Sequence, residues 1–208
     1  MKKKSERERM LAGELYIAND EELKKLYETG QNFRYAFSLT HPNDYVKREQ
    51  LIRSMFGSVG KNVTIQPPIY VDYGSNIYVG DNFYANYDCI FLDVCEIKIG
   101  DNVMFGPRVA IYTAEHPLDP TIRNTNLEFG RPVTIGNNVW VGGSVTILGG
   151  VTIGDNVVVG AGSLVNKDLP SNVIAAGNPA RIIRTLSKED KIYWEDLAKQ
   201  YWNQKIKE

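Results

Sequence analysis

Between Val133 and Val165 the chain repeats itself every six residues, a period too short and too strict for an amphipathic helix or an ordinary hairpin meander. The hexads read Val-Thr-Ile-Gly-Asn-Asn, Val-Trp-Val-Gly-Gly-Ser, Val-Thr-Ile-Leu-Gly-Gly, Val-Thr-Ile-Gly-Asp-Asn and Val-Val-Val-Gly-Ala-Gly, followed by Ser-Leu-Val. One aliphatic series runs through Ile135, Val141, Ile147, Ile153, Val159 and Val165. A second, two residues earlier, is valine throughout: Val133, Val139, Val145, Val151 and Val157. An offset of two places both series on one face of a short strand. The Gly, Asn or Asp that follows supplies turn conformations, positive φ included. Each hexad is thus a flat side and a corner, and stacked hexads make an all-β solenoid around an aliphatic column.

The same phase recurs upstream at Ile97/Ile99, Val103/Phe105 and Val109/Ile111, and in weaker form at Val63/Ile65, Ile69/Val71 and Ile77/Val79. The pattern predicts a solenoid over residues 58–186. Ile111 and Ile135 are four hexads apart in phase, yet residues 113–131 between them lack the pattern. They are expected to form a loop thrown out of the stack, and a long loop in a compact repeat is a functional candidate. Residues 1–57 read as a helical cap, with Leu11, Leu15, Leu23 and Leu26 at helix-like spacing, a break at Thr40-His41-Pro42 and a second helix from about Asn43 to Met55. Residues 187–208 read as a short C-terminal helix, N-capped by Ser187 with Asp190 three residues on. Its stripe of Trp194, Leu197 and Tyr201 is expected to pack.

With 24 Lys+Arg against 25 Asp+Glu, the net charge of -1 offers no broad attraction for nucleic acid or an anionic membrane. The basic start has no apolar core behind it, and no stretch approaches the roughly 20 apolar residues of a membrane span, so a cytoplasmic location is expected. Cys89 and Cys95 lack partners at metal-ligand spacing and read as buried, reduced thiols. Of the two histidines, His41 precedes a proline between the expected N-terminal helices and reads as structural, whereas His116 lies in the extruded loop. Two histidines in unlike segments fall short of the three that a β-helical zinc lyase requires, so no metal site is expected.

Beyond the period, an ordered set of local signatures stands out: Ala-Gly-Glu-Leu-Tyr at 12–16, Asn-Phe-Tyr-Ala-Asn at 82–86, Leu-Asp-Val-Cys at 92–95, Tyr-Thr-Ala-Glu-His-Pro at 112–117, Ile-Gly-Asn-Asn-Val-Trp at 135–140 and Gly-Asn-Pro-Ala-Arg at 177–181. With these the chain resembles the maltose and galactoside O-acetyltransferase group of the hexapeptide-repeat acyltransferases, from about Ala12 to Leu186. The resemblance implies a left-handed parallel β-helix with coils of about 18 residues. It also implies a homotrimer with acetyl-CoA in clefts between subunits, as co-substrate rather than a permanently bound cofactor. The left hand comes from the resemblance alone, because parallel β crossovers in general favour the right hand.

His116 matches the family's catalytic position, where a base takes the proton of the acceptor hydroxyl as it attacks the thioester; imidazole suits that task near neutral pH. The group that orients it is open among Glu115, Glu128 and a backbone carbonyl. Asn86 matches a residue that contacts both acceptor and thioester, where an amide donates a hydrogen bond without adding charge to an oxyanion. Asp72 and Asp93 match positions lining the acceptor pocket. Trp140, Gly142, Gly143 and Ala161 match the path of the pantetheine arm, where small residues allow backbone approach. Asn166, Lys167, Arg181 and Arg184 match the end of the groove that meets the nucleotide phosphates.

Two departures affect the acceptor. Galactoside-type members carry a further acidic residue where this chain has Val94, and their N-terminal acceptor-binding Asp aligns with Ala18, leaving Asp20 as the nearest carboxylate. A maltose- or glucose-like sugar is therefore the expected acceptor, with a hydroxylated antibiotic as the alternative. A non-catalytic solenoid is the alternative of another class, since fold does not dictate function.

Overall fold

A computed structural model describes residues 3–205. The chain opens with α1 (Glu6–Leu11), β1 (Tyr16–Ile17), α2 (Glu21–Ser38) and α3 (Tyr45–Met55). Five coils of a parallel solenoid follow: β2 (Ser58–Val59), β3 (Thr64–Ile65), β4 (Ile69–Val71); β5 (Ile77–Val79), β6 (Tyr84–Ala85), β7 (Cys89–Leu92); β8 (Ile97–Ile99), β9 (Met104–Phe105), β10 (Ala110–Tyr112); then, after an excursion through β11 (Ala114–Glu115), α4 (Pro120–Arg123) and β12 (Leu127–Gly130), β13 (Val133–Ile135), β14 (Trp140–Val141), β15 (Thr146–Leu148); and β16 (Thr152–Ile153), β17 (Val158–Val159), β18 (Leu164–Val165). A partial sixth turn ends in the antiparallel pair β19 (Val173–Gly177) and β20 (Ala180–Thr185), and α5 (Lys188–Lys205) closes the described residues. Residues 1–2 of the expected cap and 206–208 of the expected final helix lie outside the described residues.

The strands stack into the three faces of a prism. One sheet holds β2, β5, β8, β13 and β16; the second holds β3, β6, β9, β14, β17, β19 and β20; the third holds β4, β7, β10, β15 and β18. Every residue of the two hexad series is buried, none more than 3% exposed. Burial of such a side chain stabilises by about 1.5–3 kcal/mol, so the column dominates the energetics of the fold. Phe33, Phe37, Ile52 and Phe56, from and just after α2 and α3, join the same core and plug its first end.

Coil length varies around the expected value of about 18. Register offsets are 20 for Ile77↔Ile97 and Tyr84↔Met104, 18 for Trp140↔Val158 and 16 for Val158↔Ile174. Across the excursion the offset is 36, as in Ile97↔Val133, so the inserted segment amounts to one coil length and leaves the phase of the stack intact.

As expected, asparagine supplies positive φ at the corners, and the glycine before it has a separate task. At one corner the positive-φ residue is an asparagine two places after the glycine: Asn82, Asn102, Asn138 and Asn156 all have φ between 56° and 58°. Their amides form a ladder, each Nδ2 donating to the Oδ1 one coil on, from Asn62 to Asn172 at 2.8–3.2 Å. The preceding glycine serves close approach instead: a Cβ on Gly100 would sit 2.5 Å from Asn137 Oδ1.

Two expectations are corrected, and the excursion takes a definite form. The N-terminal cap is not two helices, because Gly13 at φ +70° ends α1 and lets the chain enter β1. The segment 113–131 is ordered by its own pairing, in a three-stranded antiparallel sheet β1-β12-β11. Helix α5 buries no residue, and Trp194, Leu197 and Tyr201 are exposed at 65%, 38% and 52%, so the expected packing of its stripe is not found among the described residues. The capping of α5 is as expected: Ser187 N–H donates to Asp190 Oδ2 at 2.8 Å and Asp190 N–H to Ser187 Oγ at 3.3 Å.

Candidate active site

Strands of the third sheet run toward the corner where Asp72, Asp93 and Thr113 follow one another in successive coils. A pocket of about 410 Å³ opens there, lined by Tyr16, Tyr27, Asp72, Tyr73, Val94 and Glu128 among others. Tyr16, Tyr73 and Val94 of its lining pack with Met10 and Leu23 in a small apolar cluster separate from the solenoid column. Ala18 lines the pocket, while Asp20 does not serve it: the Asp20 carboxylate caps α2, accepting from the N–H of Glu22 at 2.9 Å.

The two aspartates expected in the acceptor pocket part company. Asp93 is wholly buried beneath it. Its Oδ1 accepts from the N–H groups of Asp72 (3.0 Å) and Tyr73 (2.9 Å), and its Oδ2 from that of Asn76 (3.2 Å). That carboxylate is committed to holding the 72–76 turn, not to touching an acceptor. Asp72 does face the pocket. Burial, then the nearby carboxylates of Asp93 and Glu128, push its carboxyl up to about 7 against the opposing pull of Arg34.

His116 follows β11 directly and is exposed, and among the described residues no hydrogen bond holds its imidazole. Two of the groups weighed as its orienting partner are engaged elsewhere: Glu115 pairs with Arg131 Nε at 3.5 Å, and Glu128 Oε2 accepts from Tyr16 Oη at 2.9 Å. His41, by contrast, sits in the turn before α3, where its Nδ1 accepts from Asn43 N–H at 3.3 Å and its carbonyl from Arg48. Cys89 and Cys95 are buried free thiols, pushed up by burial to about 12 and about 11.

The remaining site residues gather at other places. Asn86 follows β6 at the corner between the second and third sheets, its Oδ1 accepting from Tyr87 N–H at 2.8 Å and its Nδ2 without a hydrogen-bond partner among the described residues. Two coils on at the same corner lie Gly142 and Gly143, and one coil further Ala161. A Cβ on Gly142 would fall 2.6 Å from Ala161 N, so only glycine keeps these backbones close. Beside them the second sheet presents Met104 and Trp140, paired in register and 53% and 54% exposed. The corner is therefore a glycine-lined edge flanked by an apolar strip, the makings of a groove for an extended thin ligand.

The expected cations divide as well. Lys167 and Arg181 line one hollow of about 360 Å³ near the last coil, with the exposed Asn166 next to Lys167. Arg184 instead grips Asp190 through both Nη1 (2.6 Å) and Nη2 (2.7 Å), which holds the Asp190 carboxyl well below its usual range. Sequence reading gave no role to Tyr16, Tyr27 or Tyr73, since nothing in spacing tells that tyrosines from the cap and from the first coil meet around one cavity. Tyr16 closes the Ala-Gly-Glu-Leu-Tyr signature, the one hint present.

Residues 9–60 match the family model described as the maltose acetyltransferase hexapeptide capping motif, and residues 132–167 match that of the bacterial transferase hexapeptide with six repeats. The galactoside O-acetyltransferase of Escherichia coli K12 is 46% identical over 187 residues, 90% of this chain and 92% of its own. The crystal structure of a maltose O-acetyltransferase from Clostridium difficile 630 superposes with a TM-score of 0.88 at 55% identity, over 89% of this chain and 99% of that one. A hexapeptide-repeat acetyltransferase from Vibrio cholerae O1 biovar eltor, crystallised with acetyl coenzyme A, gives a TM-score of 0.83 at 37% identity, over 89% and 100% of the two chains.

Proposed function

The chain belongs to the maltose and galactoside O-acetyltransferase group of the hexapeptide-repeat acyltransferases, and on that premise we propose that it acetylates a sugar hydroxyl with His116 as general base. It is an acetyl-CoA-dependent acetyltransferase of the galactoside and maltose type, built on a left-handed parallel β-helix. In the proposed step, His116 takes the proton of the acceptor hydroxyl as that oxygen attacks the thioester carbonyl. Nδ2 of Asn86 donates to the oxyanion that forms, the C–S bond then breaks, and the imidazolium returns the proton to the leaving thiolate. Asp72 and Glu128 accept hydrogen bonds from the other hydroxyls of the sugar.

The observation that carries this is the division of the site. The pocket and the His116 segment lie at one end of the third-sheet strands, and the glycine-lined edge with Asn86 at the other. A homotrimer, in which the pocket corner of one subunit meets the groove of the next, unites them; Lys167 and Arg181 then meet the nucleotide phosphates of acetyl-CoA.

Thiol release from acetyl-CoA against a panel of maltose, glucose, galactosides and hydroxylated antibiotics, with His116→Ala as control, tests the proposal. Release that needs a sugar and His116 supports it. Release driven only by an antibiotic, or undiminished in His116→Ala, overturns it.

A further inference from the structure

We propose that Tyr16 is a positioning residue for His116, acting from the N-terminal cap through its hydrogen bond to Glu128; this rests on the role proposed for His116. The path is continuous. Tyr16 is 1% exposed and sits in the apolar cluster with Met10, Leu23, Tyr73 and Val94, which fixes it to the body of the protein. In the β1–β12 pair Tyr16 stands directly opposite Glu128, and its hydroxyl donates to Glu128 Oε2 at 2.9 Å. On the other edge of β12, Phe129 stands opposite Glu115, the residue before His116.

Without β1, the His116 segment would be held by a two-residue strand paired to a four-residue one, and an isolated two-stranded hairpin is marginal in water. The third strand makes it a sheet, and the Tyr16–Glu128 bond ties that sheet to the buried cluster at one point. Burial and the Glu128 carboxylate both push the Tyr16 phenol up, so it stays a hydroxyl donor throughout the working pH range. A hydroxyl donating to a carboxylate is among the stronger hydrogen bonds, and it supplies direction that apolar packing lacks. Glu128 also lines the acceptor pocket, so the same bond sets the pocket wall and the height of the loop together. An exposed imidazole with no hydrogen bond of its own depends on its backbone for placement.

The test is a double-mutant cycle on kcat at saturating acetyl-CoA and acceptor. Tyr16→Phe keeps the ring and removes the donor, and Glu128→Ala removes the acceptor. Each is expected to lower kcat by roughly tenfold, the scale of a sub-ångström misplacement of a reacting group, with the KM for acetyl-CoA within about twofold of wild type. The double variant should lose little more than either single one, because both remove one shared contact. Glu128→Gln, which keeps an acceptor oxygen, should recover most of the rate. Wild-type kcat in Tyr16→Phe, losses that multiply in the double variant, or a loss confined to the KM for acetyl-CoA would overturn the inference. His116→Ala measured in parallel separates the failures: if it keeps the wild-type rate, the role of His116 falls and the inference with it, whereas an inactive His116→Ala beside a fully active Tyr16→Phe overturns the inference alone.

Discussion

Asn86 and Asp93 flank one strand: β7, Cys89–Leu92, runs between them along the third sheet. Four residues at roughly 3.3 Å each span about 13 Å, too far for a hydroxyl on an acceptor held at the Asp93 corner to meet a thioester held at the Asn86 corner. On the proposed roles of Asn86 and His116 one chain would carry two half-sites, and the proposed trimer then has a direct consequence. His116→Ala and Asn86→Ala, each assembled alone, should lose roughly 10²–10⁴-fold and 10²-fold in kcat. Unfolded together and refolded as mixed trimers, they should regain a measurable share of wild-type activity, because some interfaces pair an intact His116 with an intact Asn86. No regain, in mixtures shown by mass to contain both chains, would place both residues in one subunit's site.

Asp72 should make stability fall as pH rises. Its carboxyl stands at about 7 in the folded chain against 3.8 in the reference state, through burial first and the charges of Asp93 and Glu128 second, with Arg34 opposing and Tyr73 and Tyr16 alongside. The folded state thus binds the proton more tightly. That stabilisation is fully present below about 3.8 and is lost as pH rises through about 7. The ceiling is on the order of 4 kcal/mol, which partial contact with solvent reduces to roughly half. Asp72→Asn is expected to raise the Tm relative to wild type at pH 8 and to lose that advantage by pH 4. Parallel Tm curves across this range would show that the carboxyl titrates normally.

Asp93 is expected to act on folding and not on the acceptor. Its carboxylate satisfies three backbone N–H groups of the 72–76 turn, and removal leaves buried donors that cost about 1–3 kcal/mol apiece. Asp93→Ala should therefore lower the unfolding free energy by about 3 kcal/mol or more. In Asp93→Asn, which keeps one acceptor oxygen, acceptor KM should stay within about twofold of wild type at a temperature where the variant is folded. A tenfold rise in acceptor KM with unchanged Tm would return Asp93 to the pocket wall.

For acetyl-CoA, the two arginines should differ. Arg181 lines the hollow shared with Lys167, whereas Arg184 is clamped on Asp190 at the start of α5. Arg181→Ala is expected to weaken acetyl-CoA binding by roughly fivefold at low salt, the value of an exposed charge-assisted contact, with the difference shrinking as salt screens it. Arg184→Ala should leave the affinity nearly unchanged and lower the helix signal in circular dichroism, since α5 makes no buried apolar contact to hold it. Equal losses of affinity in both variants would mean that Arg184 leaves Asp190 when CoA binds.

What the sequence determined on its own was whatever repeats. Val133, Ile135, Val139 and their successors recur every six residues because each must enter the same column, so a local pattern carried the global fold, including which residues are buried. The resemblance carried the family and a list of site residues for the same reason: Tyr-Thr-Ala-Glu-His-Pro and Gly-Asn-Pro-Ala-Arg are contiguous strings. The tertiary structure alone decided where aperiodic side chains point and what they meet. Asp72 and Asp93, two carboxylates following aligned strands, differ because the second has the 72–76 turn folded over it and the first has open pocket before it. Tyr16 meets Glu128 across 112 residues, an encounter no local spacing encodes, because it depends on β1 leaving the cap at Gly13 to pair with a strand of the excursion between the third and fourth coils.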